Sequence, residues 1–388
     1  MNLAEQTDYL QEWLLQGALP LWWHEGAIRG RGGYAETMAL NGKACHVPLR
    51  SRVNPRMVYV FCEGNRLGWQ DGWSEAALHG MAHYDSVFKL DAGYYGALID
   101  VDGKLIDESF DLYNQAFALL AKASIAERLP EKKEEALGEA RALFDYICKN
   151  YKHPEIGFYS DNPAKVPLCS NPHMHMFEAC QALELVDADG PWSACADEIV
   201  QLCMSRFMRA DNGALREFFE LDWQAQAGDK GREVEPGHLF EWAWLLCNWA
   251  ERHGDEAAVS AARKLYAVAL EKGVCPQRDV VVMGIWDDLS PRDPLARLWG
   301  QTEWIKSTLS MIRHAETAQE RATYEQVLPR AVAALRKYLD AAPKGLWLDK
   351  MLEDGSFVEE PSPASSLYHI VSAIAEMRSF VEAELPKL

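Results

Sequence analysis

Glu235-Pro236-Gly237-His238-Leu239-Phe240-Glu241-Trp242-Ala243-Trp244 reads as the opening of a buried helix. Pro236 suits a first helical turn, where its missing N–H leaves nothing unpaired. The residues after it are apolar on almost every face, which is the pattern of a helix inside a protein. His238 and Glu241 interrupt that pattern one turn apart, on the same face. Either they satisfy each other in a core, or they belong to a site.

Outward from this stretch the chain repeats. A glycine followed by an apolar or aromatic pair recurs as Gly33-Tyr34-Ala35, Gly93-Tyr94-Tyr95, Gly157-Phe158-Tyr159, Gly213-Ala214-Leu215, Gly284-Ile285-Trp286 and Gly345-Leu346-Trp347. Successive glycines lie 60, 64, 56, 71 and 61 residues apart. Six units of about sixty residues, each with room for two helices, form a repeat architecture. A glycine at this point suits a left-handed cap just past a helix end. Helices over 172–184 and 240–250 are apolar on most faces, whereas those over 130–150, 255–272 and 317–340 carry a charged face. Apolar helices inside and amphipathic helices outside predict closure into an all-α (α/α)6 barrel rather than an open solenoid. The chain is therefore expected to be one domain over residues 1–388. Further helices are expected over about 3–23, 55–62, 74–88 and 107–127. Turns at Asn41-Gly42 and Asp102-Gly103 predict short accessory hairpins near 33–46 and 93–106, at one end.

The reactive side chains share a phase in this repeat. Arg56, Asn114, His175, His238, Glu303 and His369 fall 18 to 25 residues after the glycine of their unit, near the start of its second helix. Four of these helices open at Asn54-Pro55, Asn171-Pro172, Glu235-Pro236 and Ser362-Pro363, and Asn or Ser before Pro is good N-cap chemistry. In a closed barrel equivalent helix starts lie at one end. Arg56, His175, His238, Glu241, Glu303 and His369 then converge on one pocket. His175-Met176-Phe177-Glu178 parallels His238-Leu239-Phe240-Glu241, and paired His-x-x-Glu raises the question of a metal. A di-iron bundle uses Glu-x-x-His with further glutamates from two more helices. Here the order is reversed and the extra carboxylates are not evident from spacing, so no metal is assigned. His173 points elsewhere on its helix and is assigned a structural role. Arg52 rivals Arg56, and Lys306 and Arg297 are candidate partners for Glu303.

Composition limits the partners. The net charge of −19 over 388 residues argues against nucleic acid or an anionic membrane surface. The first residues show no basic stretch followed by an apolar one, and no apolar run is long enough to span a bilayer, so a cytoplasmic protein is expected. Nine cysteines, none in a Cys-x-x-Cys arrangement, suggest neither a disulfide framework nor a zinc site. Nucleotide-binding glycine loops and a Gly-x-Ser-x-Gly elbow are missing from the sequence, and no cofactor is assigned. Among the 14 tryptophans, a carbohydrate site would use some as flat stacking surfaces.

Histidines, an arginine and orienting carboxylates, with no evident nucleophile, suit proton transfer at a carbon next to a carbonyl. Two histidines on opposite faces of a substrate permit epimerisation, and one histidine moving a proton between neighbouring carbons gives aldose–ketose isomerisation. The motifs Glu235-Pro236-Gly237-His238-Leu239-Phe240-Glu241-Trp242, Asn171-Pro172-His173-Met174-His175-Met176-Phe177-Glu178-Ala179, Pro55-Arg56-Met57-Val58-Tyr59 and Ser366-Leu367-Tyr368-His369 resemble the N-acylglucosamine 2-epimerase family. That family holds N-acetylglucosamine and cellobiose 2-epimerases together with mannose and sulfoquinovose isomerases. The resemblance spans nearly the whole chain and implies an (α/α)6 barrel that works without a metal on a small sugar. It implies His238 and His369 as the two acid/base groups, with Arg56, His175 and Glu241 in support. Glu303 matches a glutamate of the fifth inner helix. Trp299, in a segment that departs from the family's commoner two-tryptophan start, and Asn114 by its register complete the substrate-binding set. The expected activity is 2-epimerisation of a glucosamine- or mannose-type sugar through an enediol(ate), with mannose–fructose isomerisation, free or as 6-phosphates, as the alternative. A glycoside hydrolase using Glu241 and Glu303 and a non-enzymatic helical scaffold are the rivals. A homodimer is the expected assembly.

Overall fold

The protein, as a computed structural model, is described over residues 2–384. Six helices form an inner ring: α2 (Val53–Arg66), α4 (Leu112–Arg128), α6 (Ser170–Val186), α8 (Pro236–His253), α10 (Leu298–Arg313) and α12 (Ala364–Glu384). Six lie outside it: α1 (Leu3–Trp13), α3 (Trp73–Val87), α5 (Lys133–Tyr151), α7 (Trp192–Leu202), α9 (Glu256–Lys272) and α11 (Ala318–Asp340). Each inner helix packs on the next, and α12 packs on α2, so the ring closes into the (α/α)6 barrel. Each inner helix also packs on the outer helix that follows it. For α12 that partner is α1, so the two ends of the chain complete one pair. Arg378 fastens them through Asp8 and Gln11, both at 2.6 Å.

Sequence pattern explains which helix goes where. Every residue from Leu298 to Ile312 of α10 is buried, as an inner helix with neighbours on all sides requires. On α5 only Ala136, Leu137, Ala140, Leu143, Phe144, Ile147 and Tyr151 are buried, one stripe at helical spacing. No helix among the described residues is long and apolar enough to cross a membrane.

Several local expectations need correction. The recurrent glycines do not cap helices. Gly33, Gly93, Gly157 and Gly213 hold φ of 67°, 100°, 79° and 77° in tight loops closed by isolated antiparallel bridges such as Lys152↔Phe158. At Gly157 a Cβ would lie 2.7 Å from Leu202 and 3.0 Å from the His173 ring, so both the left-handed backbone and the packing demand glycine. Gly284 instead opens a strand, Gly284–Trp286, paired with Glu233–Val234 and Pro291–Asp293. Asn54 is no N-cap. It lies inside α2, and its Oδ1 accepts the Tyr34 N–H at 3.1 Å. Asn171 likewise lies inside α6. Helix α2 runs past the expected stop at Cys62 to Arg66, and Gly64 within it leaves room for Leu19, which would meet a Cβ at 2.6 Å. Helix α4 starts at Leu112 rather than 107, since Leu105–Asp107 is a strand and Asp111 caps the helix by accepting the Tyr113 N–H. The helix expected over 3–23 is α-helical to Trp13 and continues in wider turns at Leu14–Ala18 and Trp22–Gly26, on either side of Pro20. The accessory strands form, and Thr37–Met38 pairs with Ser362–Pro363.

Candidate active site

The starts of all six inner helices surround one cavity of about 290 Å³. Its walls carry Arg56 of α2, Tyr113 of α4, His175 of α6, His238 and Glu241 of α8, Trp299 of α10, and Ser365, Ser366 and His369 of α12. This volume is at the small end for ligand pockets, a size for one or two sugar rings rather than a polymer. A neighbouring hollow of about 320 Å³ shares Arg52, Tyr113, Asn171, Glu235 and His238 with it.

Close approach of two glycines shapes the wall between α8 and α10. A Cβ on Gly237 would lie 2.3 Å from the Trp299 ring, and one on Gly300 would sit 4.0 Å from the Gly237 Cα. The Trp299 ring therefore reaches a place between the two histidines, with its centroid 5.0 Å from that of His238 and 6.0 Å from that of His369.

Each pocket histidine is anchored through Nδ1 to a buried carboxylate. His238 Nδ1–H donates to Glu217 Oε1 at 3.0 Å, with Glu235 at 3.7 Å. His369 Nδ1–H donates to Glu303 Oε1 at 2.9 Å. His175 Nδ1–H donates to Glu178 Oε2 at 3.2 Å. A carboxylate only accepts, so the anchors fix the tautomer and leave Nε2 as the free ring atom of His238 and His369.

The two histidines nevertheless sit in opposite electrostatic settings. Burial alone would keep His238 neutral, but the Glu217 and Glu235 carboxylates outweigh it and raise its pKa to about 10. Burial, together with the positive charges of Arg56 and Lys306, holds His369 well below the ordinary histidine range. Burial likewise takes His175 down to about 4, against the pull of Glu178. Burial pushes Glu241 well above the ordinary carboxylate range, with Glu303 adding to the rise and Lys306 opposing it. The cavity thus sets one imidazole whose charged form is favoured, His238, against two whose neutral form is favoured, His175 and His369, the arrangement that separates acid from base.

Arg56 is buried with its guanidinium 4.1 Å over the Phe117 ring. It donates to the Ser365 carbonyl at 3.1 Å and to the Tyr113 hydroxyl. Arg50 is paired with Glu36, and Arg297 with Asp349. Among the described residues no carboxylate lies within ion-pairing distance of Arg52 or Arg56. Both keep a full positive charge available to an anion at the cavity.

Some expected roles move. The partner of His238 is Glu217, not Glu241, because Glu241 points instead toward His175, whose Nδ1 is 4.0 Å from its Oε1. Glu303 lies behind His369 rather than on the cavity wall, and pairs with Lys306 at 2.6 Å. Asn114 is buried but is not among the cavity-lining residues, and its neighbour Tyr113 takes that place. His173 is structural, accepting the Phe158 N–H through Nε2 and donating from Nδ1 to the Cys169 carbonyl. The extra carboxylates that spacing did not reveal are present. His175, Glu178 and Glu241 come within 4.8 Å of one another, as do Glu241, Glu303 and His369. The Lys306 ammonium already supplies positive charge to this cluster, which is a poor fit for a divalent ion.

Glu217 follows a repeated signal. Glu36, Glu217, Asp287 and Asp349 each stand three or four residues after the glycine of their unit, and each is buried and bonded to a neighbouring segment.

An (α/α)6 barrel with anchored histidines at its inner-helix starts has the groups for proton transfer on a small ligand. Residues 32–373 match the N-acylglucosamine 2-epimerase (GlcNAc 2-epimerase) family, and the chain belongs to it. It is 50% identical over 379 residues to the mannose-6-phosphate isomerase of Rhizobium meliloti (strain 1021), covering 97% of this chain and 98% of that one. It shares its fold with cellobiose 2-epimerase from Spirochaeta thermophila DSM 6192, at TM-score 0.84 and 19% identity over 99% of this chain and 98% of that one. A D-mannose isomerase structure superposes at TM-score 0.82 and 18% identity, over 96% and 97% of the two chains. The protein is an enzyme of the sugar epimerase/isomerase class.

Proposed function

We propose that the cavity moves a proton at C2 of a ring-opened hexose through an enediolate, in the manner of a sugar 2-epimerase. The observation that carries this reading is a pair of histidines on one cavity, each anchored through Nδ1 to a buried carboxylate with Nε2 left free, in opposite electrostatic settings. His369 Nε2 takes the C2 proton. The electrons of that C–H bond form the C1–C2 double bond, and the C1 carbonyl oxygen becomes the enediolate oxygen. Arg56 offers that oxygen a charged donor, the kind of fixed group that stabilises charge as it develops. His238 Nε2–H returns a proton to the opposite face of C2, which restores the aldehyde and inverts the centre. Glu217 and Glu303 hold the two rings in the tautomers this requires.

A second outcome also fits the relative at 50% identity, which is named for mannose 6-phosphate. In that outcome the O2 hydroxyl proton passes to the C1 oxygen, the carbonyl forms at C2, and a proton is returned to C1 to give the ketose. Arg52, without an ion-pair partner at the cavity wall, would suit a substrate phosphate. Replacing Arg52 by Ala is then expected to lower kcat/KM for mannose 6-phosphate relative to mannose by about tenfold or more, the loss of a charged hydrogen bond. An unchanged ratio would remove Arg52 from phosphate recognition.

The test of the function is a panel of N-acetylglucosamine, mannose, mannose 6-phosphate, cellobiose and fructose, followed by NMR. A new C2 epimer or a 2-ketose is the expected product from at least one of them. Conversion of none, or release of reducing ends from an oligosaccharide, would contradict the reading.

A further inference from the structure

Beneath the cavity lies a lysine that the proton transfer described above does not use. Lys306 of α10 has no exposed surface, and neither has its partner Glu303, one turn earlier on the same helix. Burying an ammonium is costly unless its surroundings compensate. Here they do so from several helices. Glu303 Oε2 is 2.6 Å from Nζ. Glu241 of α8 and Glu178 of α6 also attract it. The face of Trp244, on α8, lies 3.6 Å from Nζ, a cation–π contact in a dry setting. Around the same floor stand the charged Arg56 of α2 and the titratable His175 of α6 and Tyr368 and His369 of α12.

We propose that Lys306 is a positioning residue, whose buried ammonium keeps Glu303 ionised in its hydrogen bond to His369 and so keeps His369 as the proton acceptor of the site. The geometry is a relay on two helices: Lys306 Nζ to Glu303 Oε2, then Glu303 Oε1 to His369 Nδ1 at 2.9 Å. The two oxygens of one carboxylate divide the work. One is neutralised by the ammonium and the other accepts the imidazole N–H.

This arrangement answers a difficulty. A carboxylate bonded to a histidine ordinarily draws that histidine toward its charged form, as Glu217 does for His238. Glu303 makes the same bond, yet His369 is held in the neutral range. Burial acts on both rings; Arg56 adds to it at His369 and Glu235 opposes it at His238, and a further difference lies behind each carboxylate. Ser170 donates a neutral hydroxyl to the far oxygen of Glu217 at 2.6 Å, whereas Lys306 brings a full positive charge to the far oxygen of Glu303. What stands behind each carboxylate thus pushes the two similar His–carboxylate pairs in opposite directions, with Lys306 acting beside Arg56 on His369.

The inference rests on His369 being the proton acceptor, and its test reads the ring directly, apart from turnover. The full chain is labelled with 15N-histidine, and ring nitrogens are followed by two-bond 1H–15N NMR, with the His369 signals assigned by their loss in His369→Gln. In the wild type His369 is expected to be neutral, protonated on Nδ1, with a midpoint well below the ordinary histidine value of 6.5. In Lys306→Met its midpoint is expected to rise by at least one pH unit, a tenfold change in proton affinity. The acid limb of kcat/KM moves up with it, while Lys306→Arg retains wild-type behaviour. A purely structural role would lower melting temperature and kcat without moving either midpoint. A folded Lys306→Met protein with an unmoved His369 midpoint would overturn the proposal. So would a wild-type His369 that titrates near pH 6.5, which needs no variant to fold. Failure of every sugar in the panel would instead count against the proposed function.

Discussion

His369→Gln is expected to lower kcat by about 10²- to 10⁴-fold, the usual worth of a general acid–base group, with little change in melting temperature. Glutamine is chosen because its side-chain amide can still donate to Glu303, now 2.9 Å from the ring. The buried carboxylate is then not orphaned, which would otherwise add a folding defect of its own. The Glu303–Lys306 pair stays intact behind it. Loss of turnover with the fold retained, by circular dichroism and thermal melting, therefore reports on proton transfer alone. Turnover within a few fold of wild type would remove His369 from the chemistry.

The second large effect falls on the other histidine. His238→Gln is expected to cost a similar factor in kcat, and Glu217→Gln gives a finer result. The neutral amide removes the strongest charge favouring the imidazolium, so the His238 pKa falls from about 10. If His238 must be protonated to deliver its proton, the alkaline limb of kcat/KM moves to lower pH by one unit or more. The same shift has a consequence for stability. A histidine whose pKa is raised by folding stabilises the fold fully below its ordinary value near 6.5, and that contribution is lost as pH rises through the folded value. Glu217→Gln should then melt at a lower temperature than wild type at pH 6, with the gap narrowing toward pH 10.5. A gap that is constant with pH, together with an unmoved alkaline limb, would show that Glu217 does not set the charge on His238.

The barrel was legible because its inner helices are unusual in sequence. Few surface helices read like Leu298-Trp299-Gly300-Gln301-Thr302-Glu303-Trp304-Ile305, and six such segments at a regular interval leave little choice but a ring. The convergence of His175, His238, Glu241 and His369 followed from register alone, since helix starts in a closed ring share one end. What register could not supply was the carboxylate behind each ring. Glu217 lies 21 residues before His238, on a loop between helices, and no helical periodicity links them. Only the recurring acid after the unit glycine hints at it. Glu303 and Lys306 were visible as an i,i+3 pair, but that spacing fits an exposed helix face equally well. It was the complete burial of both that turned an ordinary pair into part of the site. The glycines misled for a physical reason. A left-handed glycine serves a helix cap and a tight loop alike, and here Gly33, Gly93, Gly157 and Gly213 serve loops.

The most direct test of proton transfer at C2 is solvent exchange. The enzyme is incubated in D2O with whichever sugar it converts, and the C2–H signal is followed by 1H NMR alongside the position that changes in the product. Deuterium should enter at C2 as epimer forms, or at C1 with partial retention of the original proton as ketose forms, and His369→Gln should abolish this exchange. Full conversion with no deuterium at either carbon and the original proton wholly retained at C2 would contradict the account, because no enediolate would have formed.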